Sequence, residues 1–545
     1  MPCPTRVLIR LTTIAVLSLF GGLLISWLLE KDQLEPLTAS AVSPAIAAAA
    51  EIVSEEFEAN WKLNAIDPTP YADKYTLARR LSLSLTGAPP SLEELKRLDE
   101  LPTEDDPTQA WLDHLFKDRR YADYFAERLT RAFVGVEPGP FLIYRRRRLV
   151  NWLADEIEAN RPYDELARSL IASKGVWTTH PEANFITVSS KQNGDDKGPD
   201  EIKLAARTSR AFLGISLDCM QCHDDKFGDR WKQEDFHQLA AFFAQSEISL
   251  TGVRDDPSIN YRMQYRGEPE DTTVEASAPF SEELLSNSGS HRERLAGWIT
   301  HPGNRPFSRA ITNRVWALML GRPLIEPVDD IPINGPFPPG LESLADAFTQ
   351  SGFDLQFLIR TIAASEPFQL ASSTDDLTHP VTEKQENYWA AFPVTPLRPE
   401  QVAGAIVQSG RLHMLGADTH IFQKLQKFGE TKKFVERFGD PGESELIESA
   451  GTIPQRLLMM NGELVKQRTE PNAAMNSATR LARQSPSDIS AIDTAFLCTL
   501  TRIPSAGEAS HFAKVLAGTE GKVRDRAMED IFWALINSTE FSWNR

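Results

Sequence analysis

Cys219-Met220-Gln221-Cys222-His223 is a short stretch whose residue types and spacing specify a chemistry. Two thiols three positions apart can add to the two vinyl groups of a haem, and the adjacent imidazole can then bind one face of the iron. The order matters. Thioether bonds fix the macrocycle, and His223 supplies the proximal nitrogen. The chain has only 4 Cys in 545 residues, and two of them fall in this pentapeptide. The expected cofactor is therefore a covalent haem c on Cys219, Cys222 and His223. The sixth iron position has His180 and His237 as distal candidates, with Met263 behind them. A distal Met would raise the potential and a second His would lower it. An open position with Arg207 or Arg210 nearby would suit peroxide or another small molecule. The alternative metal is zinc, held by Cys219, Cys222, His223 and Asp224 or Asp225. With no second Cys pair, His180 or His237 would have to complete a tetrahedral set. A third reading is a non-catalytic envelope scaffold in which the thiols form a small redox disulfide or nothing.

The flanking sequence supplies ordered elements. Glu201 to Leu213 reads as a helix that Gly214 ends. Residues 233–245, with Phe236, Leu239, Phe242 and Phe243 on one face, read as a second helix. Between Gly175 and Asp200 the composition is that of loops. Residues 247–285 are polar with alternation at Tyr261, Met263 and Tyr265, the pattern of one or two β-hairpins or an inserted loop.

The bulk properties narrow the function. A length of 545 residues predicts two or three domains. The formal net charge of −18 disfavours nucleic acid as a partner. Cys3 and Cys498 are too far apart in sequence to suggest a disulfide framework. Arg6 and Arg10 precede an apolar run from Leu11 to Leu29, closed by Glu30 and Lys31. A run of about 19 residues is near the length of a membrane-crossing helix. It is expected to be a signal anchor with its N-terminus inside, or else a cleaved signal peptide. Either exports the body to the bacterial periplasm or envelope, where c-type haem is attached. The expected partners are the inner membrane, through residues 11–29, and an envelope electron-transfer protein.

The expected fold is mainly α, a multi-domain helical protein with long loops and a small β-containing insertion. The divisions read from sequence are 1–31 (anchor or signal), 32–66 (flexible tether, with a short helix at Glu51–Trp61), 67–250 (helical, carrying the haem pentapeptide), 251–285 (insertion) and 286–545 (second helical domain). Leu77, Leu81 and Leu85 recur at helical spacing before Gly87, and Ser91 with Glu94 forms a capping box. Arg145 to Arg148 reads as a solvated helix face, with haem-propionate docking as the other use. Arg305, Arg309 and Arg314 share a helix and need acidic partners, from Asp329, Asp330 or Glu342. The stretch 412–450 is charged and reads as mobile. A faint echo links Leu81–Ser91 to Phe496–Ser505, and Ile359–Phe368 to Leu535–Phe541, as an old duplication would. No Ser-His-Asp order, phosphate-binding glycine loop or paired glycosidase carboxylates stands out.

These motifs together resemble the large exported proteins of Planctomycetes that carry two domains of uncharacterised function, DUF1549 and DUF1553. The first is matched by Leu77–Glu94 and by Thr208–Gly214 running through the pentapeptide to Phe243. The second is matched by Asn304–Asp330, Leu341–Phe368 and Leu457–Gly462. The resemblance covers roughly 70–540 and implies a bacterial envelope protein with a c-type cytochrome label; it supplies no reaction. In that family a second histidine usually follows two positions after the pentapeptide's own. Here that position is Asp225, so no role resting on that histidine transfers. The size favours more than an electron carrier, either a haem-dependent oxidoreductase or a carrier with a large docking domain.

Overall fold

Local signals set the helices. Asp73 accepts hydrogen bonds from the backbone of Tyr75 and Thr76 and starts the helix Lys74–Thr86, which buries Leu77, Leu81 and Leu85. Gly87, at φ 70°, ends it. The Ser91–Glu94 capping box then opens Leu92–Asp99 as the sequence predicts. The structure, a computed structural model, describes residues 36–545 apart from 137–138, 141, 192–197, 226–229, 250, 266–268, 375–379, 413–430, 440–451 and 471–475. The expected anchor at 11–29 and most of the stretch 412–450 lie outside the described residues. Among the described residues no helix is long and apolar enough to cross a membrane.

The architecture is mainly α, with three short two-stranded antiparallel pairs among the described residues. Two of these, Ser246–Ser249 with Gly252–Asp255 and Arg262–Met263 with Thr272–Thr273, lie in the expected β-containing region, which starts slightly earlier than 251. The third joins Thr395–Pro396 to Trp543–Asn544.

One core runs from Leu37 to Phe392 and a second from Leu397 to Phe541, with Leu83 and Leu92 reaching into the second. The change from one buried cluster to the other falls near 393. The helix Arg305–Leu320 is buried on nearly every side in the first core, beside elements from both halves of the sequence.

The stretch 32–66 is not a tether over its second half. Pro44–Asn64 is a helix of 21 residues that buries Val53, Phe57 and Trp61. Phe57 stacks on Trp316 at 5.6 Å between ring centroids, and Trp316 meets Trp389 edge-on at 5.2 Å. These aromatic contacts bury large apolar areas and tie 44–64 into the first core.

The two cores meet where Gly404, in the helix Pro399–Ser409, crosses Gly87. A Cβ on Gly404 would lie 2.2 Å from the Gly87 carbonyl oxygen, so only glycine allows this approach. Beside it Glu400 pairs with Arg128 at 2.9 Å. Arg80 is fully buried. It lies over the Phe392 ring at 3.5 Å and donates to the carbonyls of Phe368, Leu370 and Arg545, clasping segments of both bodies.

The internal echo is geometric as well. Lys74–Thr86 and Asp488–Leu500 each end in a left-handed residue, Gly87 or Thr501, followed by a capping box, Ser91–Glu94 or Ser505–Glu508.

Candidate functional site

The pentapeptide sits at the end of a deliberately shaped turn. The helix Glu201–Thr208 widens into a π-turn at Ser209–Leu213, a feature common beside functional sites. Gly214, at φ 62°, reverses the chain, and its carbonyl accepts from the Ile331 N–H at 2.7 Å. Ser209 Oγ donates to the Ile215 carbonyl at 2.9 Å, which closes the turn. Ile215 and Leu217 are buried and pin the approach.

A 3₁₀ turn, Asp218–Gln221, then presents the motif. Met220 is buried at 8% exposure and anchors the turn from inside. Cys219, Gln221, Cys222 and His223 face solvent, and both cysteines are free. The turn is held from behind by the helix Gln233–Ala241. Gln233 N–H donates to Asp224 Oδ1 at 2.8 Å, and Gln233 Nε2 donates to the Gln221 carbonyl at 3.0 Å. Asp225 N–H donates to the Trp231 carbonyl at 2.9 Å.

His223 has a defined tautomer. Its Nδ1 lies 2.7 Å from the Asp224 carbonyl oxygen, an acceptor only, so Nδ1 carries the proton and donates. Nε2 is left with its lone pair on an exposed ring. Metal-binding histidines are set up this way, with the far nitrogen oriented by a carbonyl or carboxylate.

His237 has a different place. It is 2% exposed. Its Nε2 donates to the Gln221 carbonyl at 3.1 Å, and its Nδ1 accepts from the Tyr261 hydroxyl at 2.8 Å. Burial holds its pKa below the ordinary 6.5, and the hydrogen bond to Gln221 opposes that only in part. Both ring nitrogens are engaged, so the arrangement makes His237 a strut under the motif. Nothing in the spacing of 221, 237 and 261 signals this; the helix and the following hairpin bring them together.

His180 is exposed at the start of the short turn Pro181–Ala183. Its Nδ1 is 3.4 Å from Glu182 Oε1, and its ring covers Gly175. These contacts place it beside Gly175, which bridges to Val253 of the hairpin. Arg210 lies 3.4 Å from Asp218, next to Cys219, whereas Arg207 donates to Ser189.

Several of the arginines singled out from sequence have partners within the fold. Arg146 pairs with Glu127, and Arg148 donates to the Thr178 carbonyl. Arg305 and Arg309 both pair with Glu342. Of the three acids expected as partners, Glu342 therefore takes that role, while Asp330 lies 4.0 Å from Arg230.

The donor set fits a covalently attached haem in its chemistry: two accessible thiols and one imidazole with a free Nε2 on a backbone fixed by hydrogen bonds. It fits zinc less well. A tetrahedral site needs three or four converging donors, and among the described residues no three His, Cys, Asp or Glu side chains converge.

Comparison with known families agrees with the domain composition. Residues 53–248 match PSCyt2, a protein of unknown function (DUF1549), and residues 291–516 match PSD1, a protein of unknown function (DUF1553). The chain belongs to the proteins that join DUF1549 to DUF1553. Neither the curated proteins nor the solved structures hold a match to it. The DUF1549 match contains the whole pentapeptide, its π-turn and His237, whereas Tyr261 lies beyond its end. The structural division near 393 falls inside the DUF1553 match, so that family unit contributes to both cores.

Proposed function

We propose that Cys219, Cys222 and His223 are the attachment site of a c-type haem, and that this DUF1549–DUF1553 protein acts as a redox protein of the bacterial envelope. The observation that carries the reading is the orientation of His223, whose Nδ1 donates to the Asp224 carbonyl and leaves Nε2 for a metal. The short name of the DUF1549 model points to cytochromes in the same sense.

When bound, the haem would supply one-electron chemistry at an iron whose potential follows its axial ligands and exposure. The chain's own residues would do the rest. Cys219 and Cys222 hold the ring. His223 orients it. Met220 and the His237–Gln221 hydrogen bond keep the turn rigid. Arg210, 3.4 Å from Asp218, would be a cation available to a propionate. His237, hydrogen-bonded at both nitrogens, would support the turn that holds the haem. Export through residues 1–31, anchoring by 11–29 and an envelope electron-transfer partner belong to the same proposal.

The test is retention. Protein exported through a c-type maturation pathway should keep its haem in the polypeptide fraction after acid-acetone extraction. Extraction of all colour into the acetone phase would refute covalent attachment.

A further inference from the structure

Behind the Cys219–His223 turn, the Tyr261 hydroxyl donates to His237 Nδ1 at 2.8 Å, and the two rings stack with centroids 5.9 Å apart. His237 is buried and Tyr261 half-buried. On its other side, His237 Nε2 lies 3.1 Å from the Gln221 carbonyl oxygen, inside the pentapeptide. That oxygen can only accept, so Nε2 carries the ring proton and Nδ1 turns its lone pair to the phenol.

This is the arrangement that proton-coupled oxidation of a phenol needs. A phenol radical cation is a very strong acid, so a phenol gives up an electron readily only where its proton can leave in the same event. Burial, with Glu201 and Asp200 nearby, pushes the Tyr261 pKa up, so no phenolate forms beforehand. A base must therefore stand within hydrogen-bond reach, about 2.6–3.2 Å. His237 does. Burial keeps its imidazole neutral at pH 7, with Nδ1 open to a proton. Other tyrosines are set differently. Tyr75 donates to the Asp99 carboxylate, a weaker base than imidazole. Tyr124 accepts from Arg398, whose charge opposes oxidation.

We propose that Tyr261 is a redox-active tyrosine, which gives one electron toward the haem while its phenolic proton passes to His237 Nδ1. The Tyr261 O–H bond breaks and an N–H bond forms on Nδ1. The products are a neutral phenoxyl radical and an imidazolium that keeps its Nε2–H on the Gln221 carbonyl. Return of one electron sends the proton back to the phenol oxygen. The terminal oxidant is hydrogen peroxide, which takes two electrons through the haem and two protons from solvent to give two waters; Tyr261 replaces one of those electrons. For this oxidant the proposal rests on the haem reading, whereas the Tyr261–His237 pair does not.

The test uses the exported full-length chain with its haem, and the Cys219→Ser/Cys222→Ser chain without it. In the haem-free chain, photogenerated tris(bipyridine)ruthenium(III) is the one-electron oxidant, and tyrosyl absorption is followed in time. Tyr261→Phe should remove the fastest-forming tyrosyl signal. His237→Gln should slow that signal by about tenfold or more, as loss of a positioned base does. The same signal should form more slowly in D2O, a readout that needs no change at His237 and so holds even where His237→Gln disturbs the turn. In the haem-loaded chain, hydrogen peroxide and rapid freezing should give a tyrosyl EPR signal that Tyr261→Phe removes. Tyrosyl signals unchanged by Tyr261→Phe in either chain, or a rate that neither D2O nor His237→Gln alters, would overturn the proposal. A parent that carries no porphyrin while the Tyr261-dependent ruthenium signal persists would support the pair and contradict the haem reading, so the two failures are distinct.

Discussion

His237 and Gln221 are joined by a hydrogen bond of 3.1 Å from the imidazole Nε2–H to the carbonyl oxygen at the centre of the Cys219–His223 pentapeptide. With Tyr261 on the other nitrogen, a buried neutral imidazole becomes a post that sets the height of the Cys219–His223 turn. A histidine fourteen residues past the motif invites a reading as distal ligand. The geometry instead gives it a supporting role.

That post should fail in acid. Burial lowers the His237 pKa, so the folded state favours the neutral ring. Its contribution is complete above the unfolded value near 6.5 and is lost as pH falls below that. His237→Gln should cost about 1–2 kcal/mol at pH 7.5, the worth of one or two hydrogen bonds. Urea unfolding from pH 7.5 to 5 should show the gap between parent and variant closing. A gap that stays constant would argue that His237 does not titrate in this range.

Glu94 offers a second, steeper acid dependence. It is 1% exposed and accepts from Ser91 N–H at 2.7 Å, Arg120 at 2.9 Å and His114 at 3.0 Å. Burial alone would raise its pKa; Arg120, His114 and the Ser91 N–H more than offset this and hold it at about 2. The stabilisation is present above the unfolded value near 4.3 and should disappear between there and about 2. Glu94→Gln should cost about 1–3 kcal/mol at neutral pH, because the charged hydrogen bonds from Arg120 and His114 lose their anion while Arg120 keeps Asp118 at 2.7 Å. Denaturation curves at pH 7, 5 and 3 should show the gap unchanged between the first two and narrowed at the third.

The contact between the two cores can be tested at one atom. Gly404→Ala would put a methyl 2.2 Å from the Gly87 carbonyl oxygen, where backbone must move. A loss of about 1–3 kcal/mol is expected, as for other overpacked sites. Calorimetry should show a lowered Tm with the visible spectrum of the protein unaltered. An unchanged Tm would mean that the two helices are not in contact as described.

The sequence made the motif, the Ser91–Glu94 cap and the acid partner Glu342 legible, because each is a local pattern or a charge that must be matched. At 44–64 the short helix expected over Glu51–Trp61 is present but longer, Pro44–Asn64, and packed by Val53, Phe57 and Trp61 where the alanine-rich composition reads as a tether. The division near 393 was not legible, since a helix such as Arg305–Leu320 joins whichever core the chain path delivers it to. The Tyr261–His237–Gln221 chain was equally hidden, because a helix and a hairpin separate its members.

The pyridine haemochrome spectrum of the exported protein bears most directly on the central claim. The expected result is the bands of a haem joined through two thioethers in the parent, a shift toward a single-thioether spectrum in Cys219→Ser or Cys222→Ser, and no bound porphyrin in the double variant. A parent without porphyrin, or a double variant with the parent's spectrum, would contradict it.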